Sequence, residues 1–134
     1  MKSIKQEDNL GCSIACVAFI CKTNYNTAKK KYFKNLGNAK KTGFYCTDIV
    51  KALSRANKKY NYRYIKRKKK FIKNTIVFIK RSKKYPVGHF LVFSGKVWMD
   101  PWINLNILKL DIKKSKSGFR KRLPGRAIYE IFPS

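Results

Sequence analysis

One apolar run constrains this chain more than any other feature. From Cys12 to Cys21 it reads CSIACVAFIC, uncharged throughout, in a 134-residue sequence that carries 33 Lys plus Arg. The run is too short to span a bilayer, which takes about 20 apolar residues. It is also too uniformly apolar to lie on a surface, so it reads as a central helix packed on most of its faces. Glu7 and Asp8 stand where an export signal would be basic only, and no small-residue cleavage site follows. The segment is therefore read as a buried helix of an intracellular protein, around which the rest must fold.

The length suits one domain spanning residues 1–134. At 44% hydrophobic and 14% aromatic residues, the chain can bury a core, which excludes a disordered basic tail. Only six acids oppose the 33 cations, giving a formal net charge of +27. Such a field attracts polyanions, whether nucleic acid, an anionic membrane surface or an acidic protein. Packaging with nucleic acid in a virion is one setting compatible with that charge.

Helical patterns dominate the first half. A second helix is expected from about Tyr25 to Lys34, capped by Thr23 or Asn24, with Tyr25, Ala28, Tyr32 and Phe33 inward. Gly37 to Gly43 reads as a loop. A third helix runs from Cys46 to Ala56, with Ile49, Val50 and Leu53 on one face and Asp48 in its first turn, where the helix dipole favours an acid. The period then changes. Tyr60 to Lys66 alternates, with Tyr60, Tyr62 and Tyr64 on one face, and Lys66 to Lys70 is a basic turn. Thr75 to Lys80, His89 to Phe93, Val97 to Met99 and Ala127 to Phe132 are strand-like, and Ser94-Gly95 makes a hairpin of the middle pair. Ile103 to Arg126 is placed only loosely. Helices followed by strands give an α+β fold, N-terminal helices packed on a C-terminal antiparallel sheet.

Four cysteines, Cys12, Cys16, Cys21 and Cys46, with a single histidine, His89, narrow the chemistry. In a reducing compartment they are thiols, ligands or catalysts rather than disulfides. A zinc site would have its donor atoms in Cys12, Cys16, Cys21 and His89, but the spacing matches no paired CxxC pattern. No metal and no cofactor is expected. A cysteine nucleophile needs a site that promotes ionisation, such as a helix N-terminus, a histidine to take its proton and a third group to orient that histidine. Cys12 follows Gly11 at the start of the apolar run, His89 opens a strand, and Asp100 closes the next strand, within reach across the hairpin. Gln6 can carry its amide toward the thiol, and the Cys12 N–H is a second donor for an oxyanion. Cys16 and Cys46 are rival nucleophiles; Cys16 and Cys21 also read as ordinary core.

The segment Gln6-Glu-Asp-Asn-Leu-Gly-Cys12-Ser-Ile-Ala-Cys-Val-Ala resembles the first active-site segment of the papain-like peptidases that process double-glycine leaders of bacteriocins. Gly88-His89-Phe-Leu-Val-Phe resembles their histidine strand, and Val97-Trp-Met-Asp100-Pro101 their closing Asp-Pro. The resemblance covers about residues 4 to 102. It implies a papain-like cysteine peptidase fold, with Gln6 as oxyanion donor, Cys12 as nucleophile, His89 as base and Asp100 as orienter. Ser13 departs from the glycine that usually follows the cysteine. No fused transporter is seen, so the resemblance supports a fold and a reaction class more than a leader-peptide substrate.

The leading expectation is thus a thiol peptidase cleaving peptides through a Cys-His-Asp triad and an acyl-enzyme. The same triad serves deamidation and other acyl transfer. From a different class comes a nucleic-acid-binding protein on an inactive peptidase fold, motivated by the charge and by Tyr60, Tyr62 and Tyr64 interleaved with Arg63.

Overall fold

The computed structural model describes residues 2–134. Four helices come first: α1 (Cys12–Ile20), α2 (Tyr25–Tyr32), α3 (Asn38–Lys41) and α4 (Cys46–Arg55). Six strands follow: β1 (Tyr60–Tyr64), β2 (Ile76–Ile79), β3 (His89–Phe93), β4 (Trp98–Asp100), β5 (Gly118–Arg120) and β6 (Ala127–Pro133). They form one antiparallel sheet in the order β1-β6-β2-β3-β4-β5. The α+β architecture expected from the sequence, N-terminal helices on an antiparallel sheet, is the one found. No described helix is long and apolar enough to cross a membrane.

The apolar run makes α1 the centre of the helical layer. All its residues but Cys12 and Phe19 are buried, and it packs against α2, α4 and β3. Asn24 caps α2, its Oδ1 accepting from the Thr27 N–H at 2.7 Å. Asp48 caps α4 by accepting from the Tyr45 N–H at 2.9 Å. Ile49, Ala52 and Leu53 turn the inner face of α4 to the core.

Strand alternation divides the sheet into two faces. Ile76, Phe90, Val92, Met99 and Ile131 pack beneath the helices, joining Ile14, Val17 and Leu53 in the main core. Val77, Ile79, Leu91 and Trp98 point the other way, where Tyr85 joins them and Phe71, Leu105 and Leu123 cover them from loops. Glu130, on β6 between β1 and β2, is buried and paired to Arg63 at 2.9 Å and Lys69 at 2.6 Å. The basic stretch Lys66 to Lys70 is otherwise an exposed loop, as expected.

Two elements depart from the sequence reading. The stretch read as a loop between Gly37 and Gly43 contains the one-turn α3, which buries Ala39 and receives the Leu10 N–H on its carbonyl at 2.8 Å. The loosely placed stretch between Ile103 and Arg126 supplies β5, which pairs with β4 in the register Asp100↔Gly118.

Gly88 links this architecture to His89. It adopts φ +79, and a Cβ there would fall inside the ring of Phe78. Gly88→Ala is expected to destabilise the protein by about 2 kcal/mol or more through backbone strain and overpacking. Gly37→Ala, where a Cβ would meet nothing within 4 Å, is the matched control. Urea unfolding midpoints check this: equal midpoints for the two variants would contradict the packing described.

Candidate active site

The start of α1 and the start of β3 meet at one cleft of about 470 Å³. Cys12, the first residue of α1, is partly exposed there, and its N–H has no partner within the helix. His89 and Gln6 line the same cleft. Asp100 lies behind His89 and is fully buried.

Asp100 holds the site together. Its Oδ1 lies 2.7 Å from His89 Nε2 and accepts the Trp102 N–H at 3.0 Å. Its Oδ2 accepts from Arg120 Nε at 2.7 Å. Because Nε2 is committed to the carboxylate, Nδ1 is the imidazole nitrogen left for the thiol. Tyr85 stacks on the imidazole of His89, its ring parallel within 5° at 5.0 Å between centroids.

The charges follow this geometry. Burial works against the imidazolium of His89, but hydrogen bonding to Asp100 and Cys12 outweighs it and pushes the group up to about 9. Burial likewise disfavours the Asp100 carboxylate, yet hydrogen bonds from His89, Arg120 and Trp102 hold it at about 2. The rival thiols sit in the opposite situation. Burial, then the charges of Cys12 and Asp100, push Cys16 well above the usual thiol range, and burial pushes Cys46 up to about 11. Burial also raises Cys21. Among the described residues, no three His, Cys, Asp or Glu gather as a metal site.

The loop before α1 is fixed from several directions. Gln6 is buried; its N–H donates to the Pro101 carbonyl at 3.2 Å, tying it to the end of β4. Its side-chain Nε2 donates to the carbonyls of Asp8 at 3.0 Å and Asn9 at 3.1 Å, and its Oε1 has no partner. Asp8 accepts from Tyr25 Oη at 2.7 Å and Lys29 Nζ at 2.8 Å. Gly11 packs so closely on the Tyr25 hydroxyl that no Cβ fits. Ser13, where the resemblance leads one to expect glycine, buries a hydroxyl without a partner.

Beyond Trp102, the cleft is lined by Leu105, Ile107 and Leu110 and by Gly43, Phe44 and Tyr45, from two loops without a pattern in the sequence. Arg120 also escaped the sequence reading: it sits in the Lys-rich stretch KSKSGFRKR, where nothing separates one cation from its neighbours.

The paired shifts fix how stability depends on pH. The folded His89 value, about 9, lies above the ordinary 6.5, so its stabilisation is complete below about 6.5 and lost as pH rises through about 9. The folded Asp100 value, about 2, lies below 3.8, so its stabilisation is present above 3.8 and lost as pH falls through about 2. The thermal midpoint is therefore expected to fall between pH 7 and 9.5 in the native chain and less steeply in His89→Gln. Parallel curves for the two would contradict a strongly held imidazolium.

No curated protein and no solved structure matches this chain. The model of the Peptidase C39 family matches residues 1–128, past the stretch that carries the motif resemblance and through β5 to the start of β6. The chain therefore belongs to the Peptidase C39 family of papain-like cysteine peptidases.

Proposed function

We propose that the protein cleaves peptide bonds with Cys12 as nucleophile, His89 as general base and acid, Asp100 as the group that orients His89, and Gln6 with the Cys12 N–H as oxyanion donors. The observation that carries this reading is the 2.7 Å contact between His89 Nε2 and a fully buried Asp100 at the cleft that Cys12 lines.

The steps follow from the free valences. His89 Nδ1 takes the Cys12 proton as sulfur attacks the substrate carbonyl, whose oxygen becomes an oxyanion. The helix-start N–H of Cys12 is unspent and donates to it. Both Nε2 hydrogens of Gln6 are given to the Asp8 and Asn9 carbonyls, so its donation to the oxyanion exchanges one of these bonds. Collapse of the adduct breaks the C–N bond, and Nδ1–H protonates the departing amine. Water, deprotonated at Nδ1, then hydrolyses the thioester and frees the acid product and the thiol. The largely apolar cleft, with Leu105, Ile107, Phe78 and Tyr129 in its walls, suits a peptide segment with apolar side chains. Deamidation runs the same steps on a side-chain amide with ammonia as the leaving group, and other acyl transfer replaces water by another nucleophile.

A second reading concerns the surface. Four cations, Lys29, Arg63, Lys69 and Arg120, are ion-paired among the described residues, which leaves 29 of the 33 without a carboxylate partner. This excess favours a polyanion, nucleic acid or an acidic protein, held at the surface while the cleft acts. Binding to a single-stranded oligonucleotide, followed by fluorescence anisotropy, is expected to weaken steeply with added salt and to survive Cys12→Ala. Salt-independent binding, or none at low salt, would remove this reading.

For the reaction itself, digestion of a mixed peptide library by the native chain, read by mass spectrometry, is expected to yield products that vanish in Cys12→Ala and His89→Ala. Asp100→Asn should retain about 10⁻² to 10⁻⁴ of kcat, and Gln6→Ala about 10⁻² to 10⁻³ with little change in KM. Cys46→Ala should retain full activity. Activity that survives Cys12→Ala would sink the assignment, and amide exchange without hydrolysis would move it to acyl transfer.

A further inference from the structure

Asp100 does not belong to His89 alone. Its Oδ1 serves His89 Nε2 and the Trp102 N–H, while its Oδ2 takes Arg120 Nε at 2.7 Å. The same guanidinium donates from Nη2 to the Ile103 carbonyl at 3.1 Å, so Arg120 joins β5 both to the carboxylate and to the backbone just past β4. Register enforces the approach: Trp98 pairs with Arg120 and Asp100 with Gly118. Besides His89 itself, the guanidinium is the one cation on Asp100; the third donor is a backbone amide.

We propose that Arg120 is a positioning residue for the reaction, locking the rotamer of the Asp100 carboxylate and tempering that carboxylate's hold on the His89 imidazolium. The inference rests on the triad reading given above.

Two consequences follow from shared charge. A carboxylate whose second oxygen is committed cannot rotate, so its first oxygen stays aimed at Nε2 and the imidazole keeps Nδ1 toward the cleft. A carboxylate divided between two cations also binds each less strongly than it would bind one. His89 must surrender a proton to the departing amine and then act as a base. An imidazolium held without competition would be a poor acid and a scarce base in the neutral range. The groups facing His89 are Asp100 from β4, Cys12 from α1 and the stacked Tyr85 ahead of β3, with Arg120 from β5 behind Asp100. Burial, then the Asp100 charge, pushes the Tyr85 phenol up to about 12, so it stays neutral while His89 titrates. Asp100 is thus the charged side chain bonded to the imidazole, and Arg120 reaches it through that carboxylate.

His89 is the only histidine, so its imidazole resonances can be followed by NMR across pH without ambiguity. The test compares the native chain with Arg120→Met and Arg120→Lys, each also with Cys12→Ala to remove the neighbouring thiol. Arg120→Met is expected to raise the His89 midpoint by about one unit and to lower kcat by about ten- to a hundredfold with KM unchanged. Arg120→Lys keeps the charge but not the fork. It should hold the midpoint near that of the native chain and recover part of kcat. A midpoint that Arg120→Met leaves in place, or lowers, would overturn the proposal. Should the Met variant not fold, Arg120→Gln gives the same comparison. The titration needs no turnover: an inactive native chain would refute the triad reading, while the His89 midpoint still decides whether Arg120 acts on it.

Discussion

A carboxylate buried without partners costs several kcal/mol or loses its charge, so a fold that places Asp100 at zero exposure must surround it with donors. This fold does so from three sides. The strand before β4 brings His89, the residue after Pro101 brings the Trp102 N–H, and the strand after β4 brings Arg120. The sheet order puts β4 between β3 and β5, and this order delivers the imidazole and the guanidinium to one anion. Everything at the cleft depends on that arrangement. The imidazole is fixed by Asp100, α1 packs on the strand that carries it, and the loop before α1 is tied to Pro101 by the Gln6 N–H.

The parts of this structure written in local pattern were legible in the sequence. Helix α1 was readable because an apolar run that short has no alternative to burial. Helix α4 was readable because Ile49 and Leu53 recur at helical spacing over a capping Asp48. The His89–Asp100 contact was readable because a short turn at Ser94-Gly95 leaves the return strand little choice of register, observed as Val92↔Met99 and Phe93↔Trp98. What stayed hidden is what depends on tertiary position. Helix α3 is one turn long and β5 three residues, too short for periodicity to build up. Arg120 differs from the cations around it only by which strand it meets. The Gln6 amide was expected near the thiol; its hydrogen bonds to the Asp8 and Asn9 carbonyls are a loop geometry that spacing does not encode.

The charge has two aspects. Inside, the few acids are almost all employed: Asp8 fastens the loop before α1 through Tyr25 and Lys29, Asp48 and Asp111 cap helical turns, Asp100 carries the histidine, and Glu130 gathers Arg63 and Lys69. The anions are therefore structural, while most cations face solvent without partners. Self-repulsion among them opposes compactness and is screened by salt. The two cores on either face of the sheet must offset that repulsion, which is consistent with the burial of most of α1 and of most β2 and β3 side chains on both faces.

The central claim is that one thiol out of four is set apart by its place beside His89. The most direct measurement is the reaction of the folded chain with a substoichiometric thiol-reactive peptide electrophile at pH 6, followed by intact mass and peptide mapping. The account predicts one fast adduct, on Cys12, lost in His89→Ala, with Cys16, Cys21 and Cys46 unmodified. Slow labelling spread over several cysteines, unchanged by His89→Ala, would contradict it.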